Sequence, residues 1–392
     1  MINRKKSEER GGSAVNVVLS VAIVLCAIFV VMMIIGNNQE ENVASSTPAN
    51  GTGEGTAYYS YENEAGNGAS SNNAIVNSGN NIEVATNTSS STDYVPNPYV
   101  SDTIYPEDES FRRYFYSQLT AEEKIVYDQI YNNLDTLKTG TSSLEISYEG
   151  TNLGDIFQTT WDALMLDNPE IFYINTNNIT LETKSEKKFF GETQYTYKII
   201  PKTDTKYLSD SWDNSDEVDE DIKKINEIAY KVADEAFNLR KNRYKEVKYI
   251  HDYLVDHISY DQSSGINSGN LYGALCEGKA VCEGYSKALQ YILNLVHIPN
   301  IIVYGSGTNN LGESEFHSWN YVQMENGLWY AVDTTWDDPI IVGNGKLNDE
   351  MKSRYFMEGS NNLFKNHYES GDVSGTGQNF KYVEISKTDY KK

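Results

Sequence analysis

Three residues in the last third of the chain have the types and the order of a nucleophile, its base and the group that orients the base. They are Cys282, His317 and Asp333. A cysteine thiolate attacks a carbonyl carbon, a histidine transfers the proton, and a carboxylate holds the histidine in the required orientation. Each residue type is common by itself. Together, in distinctive local contexts, they predict acyl transfer or hydrolysis through a cysteine thiolate.

Cys282 is predicted to lie on the first turn of a helix. Apolar residues recur at helical spacing from Tyr285 to Leu295, and Ile298-Pro299 ends the run. A helix N-terminus favours a thiolate over the thiol, whose usual pKa is about 8.5, and its N–H groups can hold a developing oxyanion. The alternative is a buried cysteine that acts as a small hydrophobic residue, and the contexts of the histidine and the aspartate favour the catalytic role.

A second cysteine, Cys276, is the rival nucleophile, because Cys276-Glu277-Gly278 has the same pattern as Cys282-Glu283-Gly284. Gly278 and Lys279 separate it from the helical stripe, so we expect it in the preceding loop. A disulfide between the two cysteines would inactivate the site. The chain has three cysteines in total, too few for a disulfide-stabilised domain.

His317 and Asp333 lie on two predicted strands that form a hairpin. Asn326-Gly327 predicts a two-residue turn between them. In that register His317 faces Trp336. Asp333 faces Asn320 and is three positions away from direct pairing with the imidazole, an offset that a bulge or a longer loop could remove. If the two side chains meet, the carboxylate binds one ring nitrogen and the other nitrogen faces the thiol.

The N-terminus carries a predicted membrane anchor. Residues 14–35 are almost entirely apolar and uncharged, and about 22 residues at a rise of about 1.5 Å span the roughly 30 Å hydrocarbon core. Basic residues precede this segment within residues 1–13, so the positive-inside rule predicts a cytoplasmic head and an extracellular catalytic domain in a single-pass membrane protein. A cleaved signal is the alternative, but the apolar stretch is longer than usual for one.

Composition divides the remaining chain into three predicted regions. Residues 36–104 are rich in Asn, Ser, Thr and Gly, which predicts a disordered extracellular tether. Residues 105–244 form a predicted N-terminal region of helices and strands, to which we assign no activity. Residues 245–392 form the predicted catalytic domain. The fold class is therefore α+β with an added N-terminal region, a tether and one transmembrane helix.

Local patterns place several elements in the N-terminal region. Thr120 opens a helix with a capping box, and a short helix is predicted at 161–166, which Asn168-Pro169 would end. Strands are predicted at 171–174, 179–183 and 193–200.

Charge and histidine spacing limit the partners and cofactors. The net charge of −24 argues against a nucleic-acid partner, because little would offset repulsion from phosphates. Residues 213–221 are acidic but lack the spacing of a calcium-binding loop, so we interpret them as a solvated helix start. His251 and His257 lie six positions apart, which does not place two ligands on one helix face. We expect structural histidines there, and neither a metal nor another cofactor.

The motifs around these residues resemble the bacterial core of the transglutaminase-like superfamily. The resemblance covers 247–339, and the residues that carry it are Gly273-Ala274-Leu275, Gly278-Lys279-Ala280-Val281-Cys282-Glu283-Gly284-Tyr285, His317-Ser318-Trp319-Asn320 and Val332-Asp333-Thr334-Thr335-Trp336-Asp337-Asp338-Pro339. It implies a papain-like core whose nucleophile helix packs on an antiparallel sheet, with Cys282 as nucleophile, His317 as base and acid, and Asp333 as the orienting group. Papain-type proteases place their histidine and asparagine roughly 130–150 residues after the cysteine, so the shorter spacing here argues against that family.

The resemblance also implies a function. We expect an extracytoplasmic cysteine acyl-transfer enzyme that acts on protein or peptide amides at the cell surface through a thioester. The alternatives are a cysteine peptidase or amidase acting on surface proteins or cell-wall peptides, and an inactive membrane-anchored binding module. Candidate substrate-binding residues are Trp319, Trp336 and Tyr272, although each tryptophan alone is more typical of a sheet core.

Overall fold

The computed structural model describes residues 56–60, 109–138, 143–150, 153–174, 179–187, 193–201, 215–239, 242–309, 312, 314–339, 348–373 and 379–391. The predicted anchor at 14–35 lies outside these residues, as does nearly all of the predicted tether at 36–104. Of the helices that are described, none combines the length and the apolar composition needed to cross a bilayer.

The described residues form a mixture of helices and antiparallel sheets. The α-helices are α1 Tyr114–Ser117, α2 Ala121–Tyr131, α3 Gly154–Asp167, α4 Ser215–Phe237, α5 Arg243–His257, α6 Cys282–Leu295 and α7 Ser360–Leu363. Short 3₁₀-helices cover Glu109–Arg113, Leu134–Leu137 and Met351–Ser353, and a π-helix covers Tyr272–Glu277.

Two main sheets organise the strands. The first has the order β1-β3-β4-β2, and its strands are β1 Thr56–Ser60, β2 Leu144–Ile146, β3 Ile179–Lys187 and β4 Thr193–Pro201. The second has the order β10-β9-β8-β7-β11, and its strands are β7 Asn300–Thr308, β8 Ser314–Gln323, β9 Trp329–Val332, β10 Phe356–Glu358 and β11 His367–Glu369. A short parallel pair consists of β5 Ser259–Tyr260 and β6 Lys279–Ala280.

The N-terminal region confirms part of the sequence reading. Thr120 caps α2 with the predicted capping box, and α3 ends at Asp167 before Asn168-Pro169. The predicted strand at 171–174 is wrong, because these residues are buried without forming a strand. Strand β1 pairs with β3 and lies inside the predicted tether, where composition gave no indication of a strand.

Helix α6, which begins at Cys282, packs on the second sheet. The Ser286 carbonyl oxygen accepts a hydrogen bond of 3.0 Å from Asn320 Nδ2, and the hydroxyls of Ser286 and Ser318 lie 3.3 Å apart. The N-terminal region contacts the same helix, because Gln290 Nε2 donates to the Leu166 carbonyl at 2.8 Å in the buried interior. The nucleophile helix is therefore fixed on the sheet and by the N-terminal region.

The hairpin between β8 and β9 differs from the predicted one by a single residue. Asn320 pairs with Val332, and the Met324 N–H bonds the Leu328 carbonyl at 2.9 Å, so the loop has three residues rather than two. Gly327 supplies the left-handed conformation, φ 76°, that such a loop requires. In the observed register Trp319, not Asn320, lies opposite position 333. Since side chains alternate between the two faces of a strand, this shift brings position 333 to the face of His317.

Candidate active site

Cys282 is the first residue of α6 and is partly exposed to solvent. The first intrahelical bond runs from the Tyr285 N–H to the Val281 carbonyl, so the N–H groups at the helix start have no partner within the helix. Gly284 lets the preceding loop approach, because a Cβ there would lie 2.4 Å from the Ser268 carbonyl oxygen. Cys282 therefore lies at the start of the helix, beside N–H groups that are not used by the helix's own hydrogen bonds.

His317 and Asp333 form a buried pair. His317 Nε2 lies 2.7 Å from Asp333 Oδ2, and both side chains are almost fully shielded from water. Because Nε2 faces the carboxylate, Nδ1 is the ring nitrogen that remains to face a thiol. The structure thus pairs His317 with Asp333 despite the predicted offset in register, and Cys282 also interacts with the His317 ring.

The charges in this pair shift both pKa values. Burial lowers the pKa of His317, but the charge of Asp333 and the hydrogen bond to it outweigh burial and raise the pKa from 6.5 to about 10. Interaction with Cys282 is a smaller part of the same rise, so the sulfur lies within interaction range of the ring. Burial opposes ionisation of Asp333, yet the neighbouring imidazoles hold its pKa well below its usual range. Together these directions favour an imidazolium–carboxylate pair at neutral pH.

The turn that follows β9 orients the carboxylate. Asp333 Oδ1 accepts the N–H groups of Thr335 at 3.0 Å and Trp336 at 3.1 Å. Further along the turn, Asp337 Oδ2 lies 3.0 Å from His251 Nε2 on α5, and both side chains are fully buried. His251 therefore anchors this turn to the helix layer, as expected for a structural histidine.

A third histidine, which the sequence did not indicate, also contacts the carboxylate. His367 Nε2 lies 3.1 Å from Asp333 Oδ2, and the ring is fully buried. Its neighbours in the sequence form no recognisable motif. Only the pairing of β11 with β7 brings it to the site.

The ligand atoms of His317, Asp333 and His367 lie within 4.8 Å of one another and could in principle hold a metal ion. Both imidazole nitrogens contact one carboxylate oxygen directly, at 2.7 and 3.1 Å. These separations are typical of hydrogen bonds, whereas ligands about 2.0–2.2 Å from a zinc ion in tetrahedral geometry stand farther apart. A hydrogen-bonded network fits the group better than a metal centre.

The three candidate substrate residues have different surroundings. Trp319 is fully buried beneath the imidazole, at 5.9 Å between ring centroids, and so belongs to the sheet core, the alternative that the sequence left open. Trp336 is partly exposed and stacks on His317 at 5.0 Å, which places it beside the reactive groups. Tyr272 begins the π-helix, is partly exposed, and stacks on Phe172 of the N-terminal region at 6.4 Å between ring centroids.

Cys276 lies in the π-helix ahead of α6 and packs partly against the core. Burial, followed by the charge of Asp221, raises the pKa of its thiol to about 11. A thiol with that pKa is protonated at neutral pH and is a poor nucleophile. This disfavours the rival nucleophile.

The sequence model of the transglutaminase-like superfamily matches residues 230–334, a range that includes Cys282, His317 and Asp333. This part of the chain belongs to the transglutaminase-like superfamily. The match begins within α4, upstream of the boundary predicted at residue 245. No curated protein matches the chain.

Two solved structures are similar to the chain over less than half of its length. A TGase is 19% identical, covering 44% of this chain and 48% of its own, with a TM-score of 0.25. The periplasmic domain of TgpA from Pseudomonas aeruginosa is 16% identical, covering 37% of this chain and 55% of its own, with a TM-score of 0.23. The chain thus spans about half the length of these two proteins.

Proposed function

We propose that this protein is a cysteine acyl-transfer enzyme that acts on protein or peptide amides through a thioester on Cys282. The observation that supports the proposal is the buried contact of 2.7 Å between His317 and Asp333, beside a partly exposed cysteine at a helix start. The superfamily match over the same residues supports the same class of chemistry.

In the first half of the proposed reaction, the Cys282 thiolate attacks the carbonyl carbon of a carboxamide. A carbon–sulfur bond forms, and the carbonyl electrons move to oxygen, where the N–H groups at the start of α6 can stabilise the negative charge. As the tetrahedral intermediate collapses, the carbon–nitrogen bond breaks and His317 gives its proton to the departing amine. The thioester remains on the enzyme, and Asp333 keeps the now neutral imidazole in place.

In the second half, a primary amine or water attacks the thioester. His317 takes a proton from the attacking group, the carbon–sulfur bond breaks and the Cys282 thiolate is regenerated. An amine gives a new amide, which is a crosslink, and water gives hydrolysis. The proposal favours transfer, and peptidase or amidase activity is the outcome if water reaches the thioester first.

Position outside the membrane is part of the proposal. It rests on the uncharged apolar segment at 14–35 and on the basic residues that precede it. If the catalytic region faces outward, a thiol reagent that cannot cross membranes should label Cys282 on intact cells. Labelling only after the cells are permeabilised would contradict this placement.

The reaction class is tested by incubating the full-length chain with casein and a fluorescent primary amine, followed by mass spectrometry of the products. Amine incorporation at glutamine supports transfer, and new peptide termini support the peptidase. Cys282→Ser should abolish either product, whereas Cys276→Ser, the matched control, should retain it. If neither product forms, and Cys282 is alkylated no faster than an ordinary thiol regardless of His317→Ala, the inactive binding module replaces the proposal.

A further inference from the structure

His367 occupies an unusual place for a residue so far along the chain. It lies on β11, opposite Gly307 of β7, and its ring is fully buried. Its Nε2 contacts Asp333 Oδ2 at 3.1 Å, the same oxygen that His317 Nε2 contacts at 2.7 Å. Two imidazoles therefore share one carboxylate oxygen.

The other nitrogen of His367 is also held. Nδ1 lies 2.9 Å from the side-chain amide of Asn366. With that amide turned so that its Nδ2 faces the ring, it donates to an unprotonated Nδ1, and its oxygen can accept from the Tyr355 hydroxyl. Because both ring nitrogens have partners, the ring has little freedom to rotate away from the carboxylate. The ring is thus held at the edge strand β11, whereas Asp333 follows β9 in the same sheet.

Among the described residues, the titratable groups in contact with His367 are Asp333 after β9, His317 on β8 and Tyr355 before β10. The ring of His317 lies 5.4 Å from that of His367, and the ring of Tyr355 lies 5.6 Å from it. The uncharged rings of Trp336, at 4.5 Å, and Trp319, at 5.0 Å, also pack against it. Burial lowers the pKa of His367 below its usual value, and the charge of His317 acts in the same direction. A neutral His367 can donate one hydrogen bond to the carboxylate without adding a second positive charge.

We propose that His367 is a positioning residue, which donates from Nε2 to Asp333 Oδ2 and thereby keeps the carboxylate aligned with His317. This inference rests on the proposed function. Asp333 Oδ1 is fixed by N–H groups of its own turn, and Oδ2 contacts His317 and His367. His367 is therefore a contact that restrains Oδ2 independently of the imidazole that Asp333 orients. Loss of the donor should let the carboxylate move away from His317. The protonated form of His317 is then less stabilised, and so is a thiolate at Cys282.

A matched pair of substitutions separates this role from simple filling of space. His367→Gln retains a donor of similar size, and His367→Met retains the volume without a donor. The rate of Cys282 alkylation by iodoacetamide is measured from about pH 5 to pH 9.5 in the full-length chain, because only the thiolate reacts. Melting temperatures are recorded for each variant.

His367→Met should raise the pH at which alkylation becomes half-maximal by about one unit, so that the rate near pH 6.5 falls about tenfold, as expected for a lost hydrogen bond to a charged group. His367→Gln should stay within about threefold of the wild type. Asn366→Leu removes a partner of Nδ1 and should give a smaller shift in the same direction. His251→Gln alters the buried pair of His251 and Asp337. It should lower the melting temperature without shifting the pH at which alkylation becomes half-maximal.

Two results would overturn the inference. One is a wild-type midpoint in both His367→Met and Asn366→Leu, with any loss of rate explained by unfolding. The other is a shift in His367→Gln as large as in His367→Met. A parallel His317→Ala sample separates the two proposals. If His317→Ala also leaves the pH profile of alkylation unchanged, the proposed function fails. If His317→Ala alters the profile and His367→Met does not, only the role of His367 is refuted.

Discussion

Replacing Asp333 by asparagine removes the charge that raises the pKa of His317 while keeping the shape of the side chain. In the native protein that pKa rises from 6.5 to about 10. At about 1.36 kcal/mol per pH unit, this difference corresponds to roughly 5 kcal/mol in favour of the imidazolium. In Asp333→Asn, burial lowers the pKa of His317 and only the smaller contribution of Cys282 still raises it, so the ring should be mostly neutral at pH 7.

Loss of the imidazolium removes the positive charge beside the Cys282 sulfur, so alkylation near pH 6.5 should be slower than in the native protein. A free cysteine thiol, with its usual pKa of about 8.5, is about 1% ionised near pH 6.5, so about 100-fold is the largest fall that loss of the imidazolium could cause. Above about pH 9 the native protein and Asp333→Asn should react at similar rates, because even an ordinary cysteine thiol is then mostly ionised.

The assay is the pH profile of iodoacetamide alkylation at Cys282, read by peptide mass spectrometry. Asp337→Asn is the matched control, since Asp337 is also a buried carboxylate paired with a histidine, His251, but belongs to the anchor of the turn. The control should lose stability and keep the native profile. The reasoning is refuted if Asp333→Asn and the native protein give superimposable profiles.

Two further predictions concern packing and pH. Gly307→Ala would place a Cβ 2.6 Å from the Trp336 ring, so it should lower the unfolding free energy by about 1–3 kcal/mol and reduce turnover. The control Ser306→Ala, on the opposite face of the strand, should change neither. Equal melting temperatures and equal turnover for the two variants would contradict this. The melting-temperature difference between the native protein and Asp333→Asn should be largest between about pH 4 and pH 6.5. It should decline as pH rises through about 10, where His317 deprotonates, and as pH falls below about 4, where the depressed pKa of Asp333 is approached. A difference that is constant over this range would argue against the charged pair.

The helix that carries the nucleophile could be predicted from the sequence. Its apolar stripe from Tyr285 to Leu295 has helical spacing, and α6 ends at Leu295. The capping box at Thr120 was equally reliable, because it depends on residues only three positions apart. Both features depend on residues that are close together in the chain, which is why the sequence could predict them.

The pairing of His317 with Asp333 could not be derived from the same signals. Asn326-Gly327 suits a two-residue turn, but glycine in the left-handed conformation also closes a three-residue loop, which is the one formed. A difference of one residue moves a side chain to the other face of the sheet. The register therefore decided whether the carboxylate could reach the imidazole.

His367 and β1 were missed for different reasons. His367 reaches the site through a three-residue strand, and nothing near it in the sequence indicates that contact. Strand β1 is a short segment with strand-forming residues inside a region whose average composition predicts disorder. At 171–174, an apolar run indicated burial correctly and a strand incorrectly, because periodicity cannot distinguish a short buried strand from other buried backbone.

The central claim is that an acyl group passes through the sulfur of Cys282, and it is tested most directly by trapping that group. The full-length chain is mixed with a glutamine-containing peptide, quenched in acid within the first turnover and digested for mass spectrometry. We expect the peptide acyl group on Cys282, with ammonia lost, and none of it in His317→Ala. Product formed while Cys282 stays unmodified, or an acyl group found on Cys276, would contradict the mechanism.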